Sequence, residues 1–337
     1  MYNLKKNSLV IHKDQNIFEA INKIIKSKIK MLFVVDKSNK LLGSISSGDL
    51  RRSIRKRIDL NQSVQKIMYK KTRYYQNKDK DLKILKNFIC IPVLNKKKQI
   101  VDFKFSKTLI KNKKNTVFLM AGGKGLRLLP LTKKTPKPLL KIKGIPIIEK
   151  IILQFKNQGF KNFIISVNYL GHKIKKYLGD GKKLNVNIDY ISEKKYLGTA
   201  GSLFFVDFKK AKFPLIVANS DLISEIDYNN LIDFHTKKKA DITICAKNKF
   251  FEMPYGEIVE KNEKVKAIIE KPKTYHLVNA GIYIIEKKLI KNSIRNKKLM
   301  MNEFIMYQLK KKKKIFCYPV YESWIDIGNK IDYKNNK

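Results

Sequence analysis

"MAGGKGLRLLPLTKKTPKPLL", residues 120–140, begins in the last two residues of an apolar run and then places three glycines within four positions. The run itself, "TVFLMA" (116–121), reads as a buried strand that ends at Ala121. Beyond it, Gly122, Gly123 and Gly125 leave backbone N–H groups free to face an anion with no Cβ in the way, and Arg127 adds a planar fork for phosphate oxygens. Two familiar phosphate loops do not fit. The P-loop needs Lys-Ser or Lys-Thr directly after its last glycine, where this chain has Leu126-Arg127, and the dinucleotide fingerprint needs a glycine where Leu128 stands. Further on, Pro136 and Pro138 restrict the backbone around Lys137 and hold one ammonium in a set direction. The stretch reads as a polyphosphate cradle of another kind.

Downstream the apolar pattern keeps alternating. Helical stretches "PIIEKIILQFKNQG", "HKIKKYLG", "TAGSLFFVD" and "YNNLIDFHTKKK" separate the strand-like runs "NFIISVN", "VNIDYIS", "FPLIVAN" and "DITICAK". Strands alternating with helices predict an α/β, Rossmann-like domain, with a mostly parallel sheet, helices on both faces and a nucleotide site at the strand C-terminal ends. His172 and His235 fall at helix starts or on helices and are expected at the surface or as caps. Trp324 is expected in the core.

At 337 residues the chain exceeds the usual single-domain size, so two domains are expected. Its 74 basic and 28 acidic residues leave a net charge of +46, which first suggests nucleic acid or an anionic membrane as partner. Only seven of the basic residues are arginine, the residue base readers favour, and the 67 lysines are scattered through every kind of segment. The expected reading is a solvated lysine surface without a nucleic-acid partner. Cys90, Cys245 and Cys317 lie far apart, and with four scattered histidines they imply neither a zinc site nor a disulfide framework. No apolar run reaches the roughly 18 residues needed to span a bilayer, and the N-terminus lacks a signal-peptide core, so no membrane partner and a cytoplasmic location are expected.

Residues 1–112 contain a repeat. "LFVVDKSNKLLGSISSGDL" (32–50) aligns with "IPVLNKKKQIVDFKFSKTL" (91–109) without a gap at an offset of 59: an apolar strand, a polar turn, a second strand and a leucine. A helical stretch is expected before each copy; in the first, Ile17, Ala20, Ile21, Ile24 and Ile25 mark one buried face. This small α+β unit resembles a tandem CBS pair, a module that commonly binds adenine nucleotides and joins chains into dimers. In that resemblance "GSISSGDLRR" is the ligand signature, with Ser46 on a phosphate and Asp49 on the ribose hydroxyls. Ser46 and Asp49 equally suit caps for a helix starting near Leu50. The second copy has Asp102, Phe105 and Thr108 at the places of Gly43, Ser46 and Asp49, so its site is expected to be lost. A lysine- and asparagine-rich joint, "KNKKN" (111–115), separates this module from the second domain, 113–337.

"LMAGGKGLRLLPLTKKTPKPLLKIKGIPIIEKII" resembles the signature of sugar-1-phosphate nucleotidyltransferases, which join a nucleoside triphosphate to a sugar 1-phosphate and release pyrophosphate. Leu126 departs from the family's usual Thr or Ser. Four further segments follow in the family's order. "YISEKKYLGTAGSL" resembles the base-and-sugar recognition stretch, with Glu193, Leu197, Gly198 and Thr199 in their places. "LIVANSDLI" ends a strand near Asp221, the family's metal carboxylate, with Ser220 in place of a glycine. "YGEIVEKNEKVKAIIEKP" supplies Gly256, Glu270 and Lys271 for the sugar and its phosphate, and "VNAGIYII" supplies Asn279. "SWIDIGN" offers Asp326 as second metal carboxylate.

The resemblance implies that Ala121, Gly122, Gly123, Gly125, Glu193, Leu197 and Gly198 bind the nucleotide, while Gly256, Glu270 and Asn279 bind the sugar. Asp221 and Asp326 would hold Mg²⁺, with Arg127, Lys137 and Lys271 as fixed cations on the phosphates. The chemistry suits these types. In-line attack by a sugar phosphate oxygen on an α-phosphorus requires charge neutralisation, and a phosphate already ionised requires no nucleophilic side chain and no general base. A CBS pair ahead of "E…LGTAG" resembles the glucosamine-1-phosphate guanylyltransferases of bacterial legionaminic acid synthesis. Mannose-1-phosphate guanylyltransferases and uridylyl, thymidylyl and cytidylyl relatives share the catalytic signature, so GTP and glucosamine 1-phosphate rest on architecture. A nucleotide-sensing regulator with an inactive transferase domain is the alternative class, against which the intact Arg127, Lys137, Asp221, Lys271 and Asp326 speak. A homo-oligomer is expected.

Overall fold

The computed structural model describes residues 6–27, 29–76, 90–105, 114–291 and 298–337. The chain divides into two compact units. One comprises Met1–Leu109, Lys247–Val278 and Pro319–Glu322, the other Ile110–Ala246, Asn279–Tyr318 and Ser323–Lys337. The expected boundary between residues 112 and 113 lies outside the described residues, as do the helix expected before the second repeat and Thr108. Two segments expected in the second domain, 247–278 and 319–322, cluster with the first unit.

In the first unit, β1 (Val10–His12), α1 (Ile17–Lys26), β2 (Met31–Val35), β3 (Leu41–Ser46) and α2 (Ser47–Arg55) form the first repeat, and β4 (Tyr75–Gln76), β5 (Cys90–Leu94) and β6 (Ile100–Phe105) belong to the second. The 59-residue offset reappears in the ladders. β2 pairs antiparallel with β3, Val34 opposite Gly43 and Val35 opposite Leu41 across a bulge; β5 pairs with β6, Val93 opposite Asp102 and Leu94 opposite Ile100 across the equivalent bulge. The copies bond to each other reciprocally: Leu41 N donates to the Lys98 carbonyl and Ile100 N to the Asn39 carbonyl, each at 3.0–3.1 Å. Asn39 and Lys98, 59 apart, both have φ near +60°. The repeat is therefore a local pseudo-twofold. Phe33 and Phe103, 5.3 Å apart, pack in the core the two copies share with Val35, Leu94 and Ile100.

α1 forms because its apolar residues recur at helical spacing, burying Ile17, Ala20, Ile21 and Ile24, and because Asn16 and Glu19 close a capping box at its start. α2 starts at Ser47, three residues before the expected Leu50. Segment 319–322 is fixed against this helix within the same unit: Tyr321 donates its hydroxyl to Ser47 Oγ at 2.7 Å, and Arg51 meets Glu322 at 2.6 Å, both buried.

The second unit follows the expected alternation. β7 (Thr116–Ala121), a two-residue pair β8 (Lys141–Ile142) and β9 (Ile145–Pro146), α3 (Ile147–Asn157), β10 (Asn162–Val167), α4 (Gly171–Leu178), β11 (Asn187–Ser192), β12 (Leu215–Asn219), β13 (Leu222–Ser224) and α5 (Tyr228–Lys237) come first. β14 (Ile242–Glu252), β15 (Glu257–Lys261), β16 (Lys264–Ile269), β17 (Lys273–Ile285), α6 (Lys287–Lys291), α7 (Met301–Lys310), β18 (Ile315–Val320), β19 (Trp324–Asp326) and α8 (Lys330–Asn336) complete the chain order, of which β15, β16, residues 247–252 of β14, 273–278 of β17 and 319–320 of β18 lie in the first unit. Seven strands form one sheet in the order β11-β10-β7-β12-β17-β14-β18. β11, β10, β7 and β12 are mutually parallel and β17 runs antiparallel to β12, as a mostly parallel sheet requires.

The register explains the two-sided covering. Ile164, Phe118, Val217 and Tyr283 are Cα partners across four strands and pack with Phe304 and Ile305 of α7. Phe163, on the opposite face of β10, meets Phe155 of α3, which stacks on Tyr228 of α5 at 3.9 Å. The expected helix over "TAGSLFFVD" is instead a 3₁₀ turn, Gly201–Phe205, because Val206 has already returned to extended backbone.

His235 is a correction. Expected at the surface or as a cap, it is 1% exposed, with Nδ1 2.7 Å from Thr243 Oγ1 and Nε2 3.3 Å from Glu286 Oε1. Burial outweighs its contacts with Glu286 and Asp241 and holds the imidazole below its ordinary 6.5. A base with a lowered folded pKa binds its proton better when unfolded, so its contribution to stability is full above the unfolded value and lost as pH falls through it. The unfolding midpoint should fall between about pH 7.5 and 5.5 more steeply in the wild type than in His235→Gln; identical pH profiles would contradict this. No helix among the described residues is long and apolar enough to cross a membrane.

Candidate active site

β7 ends at the buried Ala121, and the loop that follows has little freedom. A Cβ on Gly122 would sit 3.1 Å from a Glu193 carboxylate oxygen, and one on Gly125 would meet Thr132 Cγ2 at 3.0 Å and Lys137 Cβ at 3.2 Å. Gly125 also has φ +65°, the left-handed region open to glycine. Gly123 faces open space. Thr132, fully buried, donates to the Gly125 carbonyl at 2.9 Å and anchors the loop from below; Tyr169 in turn donates to the Thr132 carbonyl at 3.2 Å. Neither residue was expected at the site. The only signal was a small hydroxyl residue between prolines seven positions after the last glycine.

Lys137 begins a 3₁₀ turn, Lys137–Leu139, between its two prolines. It is 8% exposed, and its ammonium pairs with Asp221 Oδ2. Asp221 follows the end of β12, where Ser220 Oγ ties the chain back to the Met120 carbonyl at 2.7 Å. Antiparallel pairing of β13 with β19 sets Leu222 opposite Asp326, and Ile327 N donates to the Asp221 carbonyl at 3.2 Å. The two carboxylates are thereby neighbours although they lie 105 positions apart in the sequence. Burial first, and the like charge of Asp221 second, push the Asp326 carboxyl above its ordinary range, while Lys137 and Arg127 pull it down. Arg127 is exposed, with Nη1 and Asp326 Oδ2 both within 3.5 Å of where a Cβ on Gly328 would lie.

This arrangement fits a divalent cation. Asp221 Oδ1 is buried without a hydrogen-bond partner, beside a second carboxylate whose proton affinity is raised by burial first and by like charge second. No group of three or more His, Cys, Asp or Glu that could hold a metal occurs among the described residues. The pair suits Mg²⁺, which takes one or two carboxylates and completes its shell with phosphate oxygens and water.

The recognition stretch is built tightly. Glu193, 8% exposed, accepts from Leu197 N at 3.0 Å, and burial raises its pKa while Leu197 N and the nearby Ser202 and Ser166 hydroxyls work to lower it. Its carboxylate thus lies under Gly122 and fixes the turn to Leu197. Gly198, at φ +80°, passes so close to Leu299 that a Cβ would lie 2.8 Å from the Leu299 carbonyl carbon and nearer still to its oxygen. Leu299 N donates to the Leu197 carbonyl and Ala200 N to the Leu299 carbonyl, each at 2.9 Å, while Thr199 Oγ1 accepts from Met301 N at 2.8 Å at the start of α7.

Asn279 is committed to local structure: Nδ2 donates to the Tyr283 hydroxyl at 2.8 Å, and Oδ1 accepts from Gly281 N at 2.9 Å. Trp324, half-buried rather than in the core, donates Nε1–H to the Ala280 carbonyl at 2.9 Å. Gly256, Glu270 and Lys271 belong to the other unit. There Gly256 faces Glu270, a Cβ falling 3.3 Å from Glu270 Oε2, and Lys271 is exposed at φ +46°.

Ser46 and Asp49 close a capping box on α2. Ser46 Oγ accepts from Asp49 N at 3.3 Å, Asp49 Oδ2 accepts from Ser46 N at 2.8 Å and from Ser46 Oγ at 2.6 Å, and Arg52 pairs with Oδ1. Ser46→Ala is expected to cost about 1 kcal/mol by loss of this cap, read as a lower denaturant midpoint; an unchanged midpoint would show that the cap contributes nothing.

A model of the nucleotidyl transferase family matches residues 116–336, and a CBS domain model matches residues 3–56. The chain belongs to the nucleotidyl transferase family. Among its relatives, the mannose-1-phosphate guanylyltransferase of Mycobacterium tuberculosis is 29% identical over 221 residues, 64% of this chain and 61% of that protein. The mannose-1-phosphate guanyltransferase of Saccharomyces cerevisiae is 32% identical over 226 residues, 64% of this chain and 62% of that protein. The chain thus spans about three fifths of the length of these relatives. The crystal structure of HddC from Yersinia pseudotuberculosis superposes with a TM-score of 0.53 at 27% identity, covering 66% of this chain and 97% of HddC; HddC complexed with GMP-PN gives 0.53 at 26%, with the same coverage.

Proposed function

We propose that the chain transfers a nucleotidyl group, GMP from GTP, to a sugar 1-phosphate and releases pyrophosphate. The observation that carries this reading is the meeting of Asp221, Asp326, Lys137 and Arg127 next to a glycine loop at the C-terminal ends of parallel strands. Glycine-loop N–H groups would donate to the nucleotide's phosphate oxygens, with Gly125 shaping the turn. Arg127, exposed and forked, would stabilise the departing pyrophosphate. Lys137, released from Asp221 Oδ2, would bring a buried ammonium to the attacking phosphate. Asp221 and Asp326 would hold Mg²⁺, which when bound neutralises phosphate charge at the reacting phosphorus. The sugar phosphate arrives ionised, so no proton acceptor is required. Roles for Glu193, Leu197 and Gly198 toward the base, for Glu270, Lys271 and Asn279 toward the sugar phosphate, and for Ser46 and Asp49 toward an adenine nucleotide are part of the proposal on their sequence pattern.

The guanylyltransferase names of the relatives and the GMP-PN bound to HddC support guanine as the base. For the sugar, the relatives' names favour mannose 1-phosphate, and the CBS-plus-transferase architecture favours glucosamine 1-phosphate and with it legionaminic acid synthesis. Pyrophosphate release across four nucleoside triphosphates, each with mannose, glucosamine and glucose 1-phosphates, tests these choices. GTP should exceed the other nucleotides by at least tenfold in kcat/KM; equal or greater use of UTP, TTP or CTP would overturn guanine.

A further inference from the structure

Between the end of β7 and the start of β8, residues 122–140 contain no strand and no α-helix, only 3₁₀ turns at Leu126–Leu128, Leu131–Lys133 and Lys137–Leu139. Burial does not hold the middle of this loop, where Leu126, Leu129 and Leu131 stand 42–66% exposed. Yet the loop carries Gly125 and Arg127, and transfer chemistry needs such donors and cations fixed to within about 0.5 Å. A long loop without a ladder requires support from outside itself.

That support comes from one turn, residues 168–173, where β10 gives way to α4. The Tyr169 hydroxyl lies 3.2 Å from the Thr132 carbonyl and 3.1 Å from the Lys133 carbonyl, and Lys173 Nζ donates to the Lys134 carbonyl at 2.6 Å. Three consecutive carbonyls of the loop are thus taken by two side chains of the turn. Thr132 passes the hold inward. Fully buried, it donates its hydroxyl to the Gly125 carbonyl at 2.9 Å, and its Cγ2 lies 3.0 Å from where a Gly125 Cβ would be. The same turn supports the loop's first glycine: Asn168 Nδ2 donates to the Glu193 carbonyl at 2.8 Å, and both Asn168 Cβ and the Glu193 carboxylate face Gly122. The turn itself is strained. Leu170 sits in the left-handed region at φ 49°, and a Cβ on Gly171 would fall 2.9 Å from Val167 Cβ. A bulky residue is held there only where the surrounding structure over-determines it, and such strain gathers at functional sites.

We infer, on the reading of the site as that of a nucleotidyl transferase, that Tyr169 is a positioning residue: through Thr132 it fixes the Gly125 peptide and the turn carrying Arg127 around the nucleotide's phosphates. It touches no substrate itself. Lys137 has a separate anchor in Asp221, so the attacking phosphate is spared when Tyr169 lets go.

Pyrophosphate release by Tyr169→Phe, which loses only the hydroxyl, tests this. kcat/KM for GTP should fall roughly tenfold or more, with KM for the sugar 1-phosphate within about twofold of wild type and the unfolding midpoint within about 4 °C. Thr132→Val, which keeps the methyl and removes the hydroxyl, should show the same selective loss, and Thr132→Ser should stay within about threefold of wild type. Because the two hydroxyls act in series, Tyr169→Phe/Thr132→Val should be no more than about twofold worse than either single variant. GTP use by Tyr169→Phe within threefold of wild type would overturn the inference, as would equal losses toward both substrates with a lower midpoint, or losses that multiply in the double variant. If Tyr169→Phe fails to fold, Thr132→Val decides by the same measures. A wild type that releases no pyrophosphate with any substrate pair would instead overturn the transferase reading, and the positioning role with it.

Discussion

Asp221→Asn is expected to fold as the wild type and to lose about three orders of magnitude in turnover, since a divalent cation contributes several kcal/mol of charge stabilisation and each 1.36 kcal/mol is tenfold in rate. The substitution keeps the shape and removes the charge. It takes from Lys137 its ion-pair partner, and it replaces the carboxylate whose Oδ1 is buried without a partner. The backbone link that sets Asp326 alongside, Ile327 N to the Asp221 carbonyl, is untouched. Pyrophosphate release at saturating Mg²⁺ measures the loss, with an unfolding curve as control for the fold. Turnover within threefold of wild type would remove Asp221 from the metal site.

Gly198→Ala should have the largest effect on folding. At φ +80° a Cβ is already strained, and here it would also collide with the Leu299 backbone, which has no side chain to rotate aside. Relief requires breaking the Leu197–Leu299–Ala200 hydrogen bonds, which in turn loosens the Thr199 cap on α7. A loss of about 3 kcal/mol or more is expected, or failure to accumulate folded protein. Gly123→Ala is the contrast: its Cβ meets nothing within 4 Å, and stability should change by less than about 0.5 kcal/mol. Equal stability of the two variants would refute the assignment of a packing role to Gly198.

The difference between these glycines could not be read in the sequence, where both belong to motifs of the same family. What could be read was whatever depends on near neighbours along the chain. The apolar runs 116–121 and 162–167 became adjacent parallel strands because strand residues buried on both faces leave a continuous apolar signal. The 59-residue repeat became two ladders with the same bulge because each copy carries the same strand-turn-strand pattern. The tight turn after β7 was legible because Gly125 takes a left-handed φ and leaves no room for a Cβ beside Thr132 and Lys137.

Partners distant in sequence were not legible. His235 is buried because Thr243 and Glu286, 8 and 51 positions away, satisfy both ring nitrogens, and nothing in "YNNLIDFHTKKK" marks this. Ser46 and Asp49 suited both a ligand and a cap, and in the folded chain the carboxylate is engaged by Ser46 and Arg52. Glu193 carried a family role in the sequence, while its enclosure beneath Gly122 by Leu197, Ser166 and Ser202 depends on three separate elements meeting. The convergence of Asp221 and Asp326 was expected from the family resemblance, and its physical cause, the short antiparallel pair of β13 with β19, is visible only in the fold.

The proposed reaction makes a new phosphoanhydride bond between a nucleotide and a sugar phosphate. Phosphorus NMR of one reaction containing the wild-type chain, GTP, Mg²⁺ and an equimolar mixture of mannose 1-phosphate and glucosamine 1-phosphate tests it directly. Pyrophosphate and a GDP-sugar are expected to appear in equal amounts as one of the sugar phosphates is consumed. Unchanged spectra, or GTP falling to GDP and inorganic phosphate with both sugar phosphates intact, would contradict it.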